Sequence, residues 1–203
     1  SDRDWSSDVC SSDLARSAAQ RAKCLNQVKQ NGLSLVMYAN DNNDTLVPRK
    51  LWDSPWSCFS GNNNFRDATD FAKNYVADFR TWYCPTDAIS TTPQTRWDIG
   101  ELGYLYCPVT EEQKTPTDPA YDSGFAGNDR SLKLSRSAST DVLLSDKLFS
   151  ISGYYFQNHD GAPSTTQTAI GANVGAFDGS ARWKKLNEMR STWYFSNAAI
   201  VWY

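Results

Sequence analysis

Apolar or small side chains recur at three- and four-residue steps between Ala15 and Ala39, and polar residues such as Arg16, Lys23 and Lys29 separate them. The repeating positions are Ala18, Ala22, Leu25, Val28, Gly32, Leu35 and Ala39. This period places them on one face of an α-helix. The pattern therefore predicts one long helix with a single buried face.

The predicted helix ends at a run of Asn and Asp, residues 40–44, which precedes Pro48. Side chains of these types compete for backbone hydrogen bonds, and proline cannot continue a helix. The run is also rich in the oxygen ligands that calcium prefers. However, it lacks the spacing and the distant Glu of an EF-hand loop. We interpret it as a helix terminus.

The rest of the chain alternates between loops and short apolar runs. A second short helix is predicted over 65–79, since Phe71, Tyr75 and Phe79 are four residues apart. Strand-like runs occupy 103–106, 141–145, 154–156, 174–177, 181–184 and 193–195. The predicted fold class is α+β, with a long N-terminal helix packed on an antiparallel β-sheet.

Phe177 to Ser180 gives the strongest local signal, because Asp178-Gly179 lies between two strand-like runs. Asp-Gly is a favoured pair for a two-residue type I′ hairpin turn. We therefore expect a hairpin here in preference to a ligand site.

The first residues differ in character from the helix that follows. Residues 4–14, DWSSDVCSSDL, resemble a sequencing-library adapter translated as protein. The alternative is a natural disordered Ser/Asp-rich tail. We divide the chain into a non-native leader (1–14), an N-terminal helix (15–45) and a globular α+β domain (46–203), and we expect the true N-terminus to have been replaced.

Charge and hydropathy exclude one class of partner. Residues 1–14 carry four Asp and one Arg, so they account for the whole formal charge of -3. Lys and Arg are scattered along the rest of the chain, without the basic patch of a nucleic-acid-binding protein. No apolar run approaches the roughly 20 residues of a membrane span. That absence says little about an anchor, since the predicted leader occupies the place where one would precede the helix.

Five cysteines are present, and Cys10 lies in the leader. The other four are Cys24, Cys58, Cys84 and Cys107. The absence of CxxC spacing and the presence of a single histidine argue against a Cys/His metal site. An even number of cysteines favours an extracytoplasmic protein with up to two disulfides. Four cysteines allow three pairings. The alternative is a cytosolic protein with four buried thiols. We expect no metal and no cofactor.

His159 would need a nucleophile or a metal partner for catalysis, and no such motif accompanies it. We expect a structural hydrogen bond to a carboxylate such as Asp178 or to a loop carbonyl. A pH-sensitive packing role remains open. No spacing among Asp141, Asp146, Asp160 and Asp178 singles out a glycosidase pair. The chain is therefore expected not to be an enzyme.

Eight Trp and ten Tyr raise the possibility of a sugar-stacking surface. The tryptophans considered for it are Trp52, Trp56, Trp97, Trp183, Trp193 and Trp202. In a small, strand-rich domain aromatic side chains more often form the core. We expect most of them to be buried.

Several short segments together resemble the prepilin-type proteins that carry an N-terminal cleavage and methylation signal. The segments are Cys24 to Gln30, Leu33, Met37 to Asp41, Pro48 and Trp82 to Asp87. A further family hallmark is a His followed by a spacer and Asp-Gly, which His159, Asp178 and Gly179 match, with Asn173-Val174 ahead of the turn. The spacer here has 18 residues where the family motif has nine, which suggests a loop inserted at 161–171. The resemblance covers nearly all of 15–185.

The resemblance implies a type II secretion pseudopilin or type IV pilin-like subunit. Its partners would be other pilin-like subunits and the secretion machinery, and an N-terminal helix missing from this chain would hold the precursor in the inner membrane. The globular part would face the periplasm or form an extracellular filament. The assembly face would include Ala18, Ala22, Leu25, Val28 and Leu35, with the part from Leu25 to Ala39 packed on the sheet. The resemblance also implies the disulfides Cys24–Cys84 and Cys58–Cys107.

Two other functions compete with this interpretation. The first is a secreted carbohydrate-binding or adhesin-like module that uses exposed Trp and Tyr. The second, which ranks last, is an extracytoplasmic hydrolase that depends on His159 and a carboxylate.

Overall fold

The structure is a computed structural model that describes residues 6–47, 71, 74–86, 92–98, 102–106, 133–136, 139, 142–151, 154–157, 159, 171–189, 191–194 and 199–202. Its α-helices are α1 (Ser6–Asp41) and α2 (Pro93–Asp98), and its 3-10 helices are η1 (Phe79–Trp82), η2 (Leu134–Arg136) and η3 (Leu186–Glu188). Its strands are β1 (Tyr104–Tyr106), β2 (Val142–Asp146), β3 (Leu148–Ile151), β4 (Tyr154–Gln157), β5 (Gly171–Ala176), β6 (Ala181–Lys185), β7 (Ser191–Tyr194) and β8 (Ala199–Trp202).

The described strands form two antiparallel four-stranded sheets, with the orders β1-β2-β5-β6 and β4-β3-β8-β7. Only Lys147 separates β2 from β3, so the chain passes from one sheet to the other within a single run. Helix α1 packs on the first sheet through β5, β2 and β6. The fold is therefore α+β, with a long N-terminal helix on an antiparallel sheet.

Helix α1 buries only the second part of its predicted stripe. Val28, Gly32, Leu35 and Ala39 are buried, whereas Leu25 is half-buried. Ala18 and Ala22 are exposed, because the helix extends beyond the part that packs on the sheet. Val28 and Leu35 thus belong to the domain's own core, and the prediction that they form part of an assembly face is wrong.

The core-facing side of α1 also includes residues outside the predicted stripe, namely Cys24, Asn31 and Tyr38. Asn31 is buried because its amide has partners there. It donates to the Thr81 carbonyl at 2.9 Å, and its oxygen lies 3.2 Å from the Thr81 hydroxyl. A polar residue on a buried helix face is tolerated when it is hydrogen-bonded in this way.

The Asn/Asp run ends the helix as predicted. Asn42 donates from its side chain to the Tyr38 carbonyl, and Asn43 and Asp44 adopt left-handed backbone angles, with φ of 56° and 65°. The Lys133 ammonium donates to the Asn43 carbonyl at 2.6 Å, while Ser135 donates to both Asp44 carboxylate oxygens. These donors occupy oxygens that a calcium ion would need.

Each of the six predicted strand runs overlaps an observed strand, although the boundaries shift by one to three residues. Two strands, β3 and β8, the short helix α2 and the three 3-10 helices were not predicted. In the predicted second helix, Phe71 and Tyr75 are helical, but Phe79 begins the separate turn η1.

The β5–β6 hairpin is present, but the predicted type I′ turn is wrong. Gly179 has a φ of 78°, whereas Asn43 and Asp44 are the only non-glycine residues of the described chain with positive φ. The Gly179 N–H donates to the Ala176 carbonyl at 3.1 Å, and the Ala176 N–H donates to the Ser180 carbonyl at 2.9 Å. This is a three-residue loop with glycine in the left-handed position. Phe177, the first loop residue, is buried by it.

None of the helices that the structure describes combines the length and the apolar character needed to cross a membrane.

Candidate functional site

A buried polar network lies where α1 leaves the first sheet. Asp146 ends β2, and its Oδ2 atom accepts hydrogen bonds from His159 Nε2 and from the Asn173 backbone N–H, each at 2.8 Å. The side chains of His159 and Asp146 are 3% and 1% exposed. Since burying a carboxylate without partners is costly, these donors make its position possible.

Strand register explains how residues distant in sequence meet here. Strands β2 and β5 are antiparallel, and Ser145 pairs with Val174, so Asp146 comes beside Asn173. His159 follows β4, which pairs with β3 of the second sheet. The network therefore connects the two sheets.

The same network holds α1. The Asn173 side-chain amide donates to the Arg21 carbonyl at 3.3 Å. The Arg21 guanidinium lies over the Trp183 ring at 5.7 Å, and that ring is 5.9 Å from the imidazole of His159. A cation over a tryptophan face is attracted by the ring. These contacts hold the helix one turn before Cys24, which is fully buried.

Cys24 forms a disulfide with Cys84, with their Cα atoms 5.6 Å apart. This is the pair that the family resemblance implied, and it joins α1 to the segment after η1. Cys58 and Cys107, the other implied pair, lie outside the described residues. Thr86 lies between the disulfide and the imidazole, since its Oγ1 is 3.0 Å from Cys84 Sγ and 3.4 Å from His159 Nδ1.

These contacts specify the roles of the two imidazole nitrogens. A carboxylate only accepts, so Nε2 carries a hydrogen and donates to Asp146. In the neutral ring Nδ1 then accepts from the Thr86 hydroxyl. The second carboxylate oxygen, Asp146 Oδ1, is buried and has no hydrogen-bond partner within the described part of the chain.

The carboxylate that binds His159 is Asp146, so the expectation of Asp178 is wrong. Asp178 is exposed at the β5–β6 turn, where it accepts from the Ser180 N–H at 2.8 Å. Hydrogen bonds from the Ser180 side chain and then its backbone lower the pKa of Asp178. The motif residues His159 and Asp178 therefore make different contacts. Asp141 and Asp160 lie outside the described residues.

Gly179 allows the β5–β6 turn to pack closely against α1. It is buried against α1, where a Cβ atom at this position would come within 2.7 Å of Leu33 Cδ2. The Asp-Gly pair thus combines a turn with a close approach to the helix.

Two of the tryptophans considered for a stacking surface have side chains that the structure describes, and both are half-buried. Trp97 packs against the core, and Trp183 is half-buried between Arg21 and His159. For Trp193 and Trp202 the structure describes the backbone, as strand residues. Trp52 and Trp56 lie outside the described residues.

Asp146, His159 and Thr86 follow one another in the order carboxylate, imidazole and hydroxyl. A catalytic triad uses the same order, with a nucleophile accessible to substrate. Here the carboxylate and the imidazole are both shielded from solvent, and the hydroxyl contacts a disulfide sulfur. The network also contacts α1, through the hydrogen bond from Asn173 to the Arg21 carbonyl.

Comparison of the chain with protein-family models, with curated proteins and with solved structures found no match.

Proposed function

We propose that the chain is a non-enzymatic structural subunit, pilin-like in character, of a type II secretion or type IV pilus-type assembly. The observation that supports this proposal is the division of α1 into an anchored part and a projecting part. Between Ala15, where the predicted leader ends, and Asp41 the helix has 27 of its 36 residues, which corresponds to a length of about 40 Å. The described core of its own domain begins at Cys24.

The projecting part has the composition of a surface that another helix can cover. Between Ala15 and Lys23 every residue is exposed or half-buried. Four of the nine are alanines, namely Ala15, Ala18, Ala19 and Ala22. Alanine favours the helix without a packed face, and its small side chain allows another helix to approach closely.

The anchored part is suited to carry load. At the end of the projecting part, the hydrogen bond from Asn173 to the Arg21 carbonyl attaches the helix to the domain, and the Cys24–Cys84 disulfide follows directly. A pull on the projecting part would therefore be transmitted to the first sheet and to the segment after η1. A subunit held in a filament by its N-terminal helix needs such an attachment.

In this proposal the projecting helix continues into an apolar membrane helix of the precursor, and the domain faces the periplasm or the exterior. The neighbours are other pilin-like subunits, identical or different, together with the secretion machinery. Contacts between different faces of successive subunits, repeated without closure, produce a filament.

Resequencing of the locus across codon 15 tests the class first. The proposal predicts an upstream reading frame with a short basic leader, a Gly cleavage point, a Glu five residues into the mature chain and about 20 apolar residues. An ordinary signal peptide in that place would contradict it and would favour the secreted carbohydrate-binding module. An intact DWSSDVCSSDL in the genome would show that the adapter interpretation is wrong.

Cysteine cross-linking of the restored precursor in bacterial cells then tests assembly. Ala18→Cys and Ala22→Cys place a thiol on the small-residue face, and the matched controls Arg16→Cys and Lys23→Cys place one on other exposed positions of the same segment. We expect oxidative cross-links to neighbouring subunits from positions 18 and 22 in preference to 16 and 23. Equal cross-linking at all four positions, or none at 18 and 22, would contradict the proposed face.

Trp183 gives the carbohydrate-binding alternative no support, since the guanidinium of Arg21 lies over its ring. Binding of the folded domain to a glycan array, with loss of binding in Trp183→Ala, would favour it.

A further inference from the structure

Two cysteine sulfurs and an imidazole nitrogen lie together at the base of the projecting helix. The ligand atoms of Cys24, Cys84 and His159 are all within 4.8 Å of one another. Cys24 is fully buried, Cys84 is 4% exposed, and the His159 side chain is 3% exposed. No other group of three His, Cys, Asp or Glu residues in the described chain has this arrangement.

The surroundings of His159 are those of a metal ligand. Its Nε2 donates to Asp146, which leaves Nδ1 on the side of Thr86 and the Cys84 sulfur. Metal-binding histidines usually donate their other ring N–H to a carboxylate or carbonyl, which fixes the ring and raises its basicity. Asp146 is in place for this role.

We propose that reduction of the Cys24–Cys84 disulfide creates a Cys₂His site, with three protein ligands, for a thiophilic divalent cation, with zinc as the first choice. In the reduction, an external dithiol transfers two electrons and two protons to the disulfide and itself becomes a disulfide. The cation then displaces the two thiol protons, and bonds form from the metal to both sulfurs and to Nδ1. This inference is independent of the proposed function.

Charge and distance both fit such a site. Two thiolates neutralise a divalent cation, so the loaded site adds no net charge to a buried region. Zinc bonds of about 2.0 to 2.3 Å place tetrahedral ligand atoms roughly 3.3 to 3.8 Å apart. The three atoms lie within 4.8 Å of one another, and the two sulfurs, which are bonded in the oxidised chain, would move apart by side-chain rotation after reduction. The fourth position would go to a water molecule, and the Thr86 hydroxyl lies close to both Cys84 Sγ and His159 Nδ1.

The site would replace one attachment of α1 by another. In the oxidised chain a covalent bond joins Cys24 to Cys84, and in the reduced chain the cation would join them and add His159. The helix would therefore stay attached to its domain in a reducing compartment, before the disulfide forms.

The test uses the full chain produced in a reducing cytoplasm and kept under a phosphine reductant. Zinc competition against a chromophoric chelator should give one tight site per chain, and cobalt should give thiolate-to-metal charge transfer with the d–d bands of a tetrahedral site. The air-oxidised chain should give neither. A reduced chain that is folded by circular dichroism but does not compete for zinc would overturn the proposal, as would equal binding by the oxidised chain.

A variant that combines Cys10→Ser, Cys58→Ser and Cys107→Ser removes the other three thiols as possible ligands, and it should still bind zinc. Adding Cys24→Ser or His159→Gln should abolish tight binding, and Asp146→Asn, which changes only a positioning residue, should weaken it about 10- to 100-fold while keeping the cobalt spectrum. If these variants fail to fold, alkylation of the wild-type chain with and without zinc identifies the cysteines that bind the metal. Zinc should protect Cys24 and Cys84 from alkylation, and protection of Cys58 and Cys107 in their place would overturn the assignment.

Discussion

The two parts of α1 belong to one continuous helix but depend on different interactions. From Cys24 to Ala39 a buried face repeats every three or four residues and packs on β2, β5 and β6. From Ala15 to Lys23 no residue is fully buried. The first part is held by tertiary packing. The second relies on alanine propensity, on the contacts of Arg21 with Asn173 and Trp183, and on its connection to the first.

This difference shows that a repeating apolar pattern along a helix predicts burial within the same domain over only part of its length. The stripe continues from Leu35 back to Ala18, but its members become smaller as the sheet ends. A stripe of large apolar residues indicates a core, while a stripe of alanines is compatible with contact to another chain. The disulfide and the Asp146 network attach the two parts to the domain. Variants of these residues therefore test how the two parts differ.

The largest effect is expected from the disulfide. Replacing Cys24 and Cys84 together by Ser should lower the free energy of unfolding by about 4 kcal/mol, since the bridge spans a sequence separation of 60 residues. Urea unfolding with a chelator present measures this loss, and Cys10→Ser is the control that should change little. A loss below about 1 kcal/mol would show that the disulfide does not anchor the helix in the way described.

Leu35 and Leu33 provide a matched pair on the same helix. Leu35 is fully buried and Leu33 is 42% exposed. Leu35→Ala should therefore cost about 3 kcal/mol of unfolding free energy, and Leu33→Ala less than about 1 kcal/mol. Thermal or urea unfolding of the two variants gives the comparison. Similar losses for both would contradict the assignment of the buried face.

The Asp146 network should have a smaller effect. Asp146→Asn keeps the shape but replaces the carboxylate that accepts from His159 and Asn173, and we expect a loss of about 2 kcal/mol. Asp178→Asn is the control, because that carboxylate is exposed at a turn. Equal losses in the two variants would show that the network does not hold the helix.

The smallest effect concerns Asp178 and pH. Ser180 lowers the pKa of this carboxyl from its ordinary value of 3.8. A carboxyl whose pKa is depressed by folding stabilises the protein above its ordinary pKa, and this contribution disappears as the pH falls through the lowered value. Because the group is exposed, the contribution is about a few tenths of a kcal/mol. Wild type and Asp178→Asn should differ at pH 6 and converge near pH 2, and a gap that widens on acidification would contradict the assignment.

Local patterns predicted much of the fold because they report directly on backbone preference. Three such patterns predicted observed elements: the apolar stripe from Leu25 to Ala39, the Asn/Asp run at the end of the helix, and the six strand-like runs. The turn type was missed because burial of Phe177 and the Ser180 contact to Asp178 favour a three-residue loop, which the Asp-Gly pair alone does not specify.

The site was less predictable because strand register creates it. Asp146 was one of four carboxylates without a distinguishing spacing, and it meets His159 only through the β2–β5 and β3–β4 pairings. The strand β3 was missed because it follows β2 after Lys147, so the two read as one run. The approach of His159 to Cys24 and Cys84 likewise depends on tertiary structure, which the absence of a CxxC motif could not reveal.

Amide hydrogen exchange along α1 in the isolated, oxidised chain tests the central division most directly. The amides of Val28 to Ala39 should exchange only through global unfolding, and those of Ala15 to Ala22 should exchange much faster through local fraying. Equal protection of the two parts would contradict the account, because it would show that the projecting part is packed within its own domain beyond the contacts of Arg21.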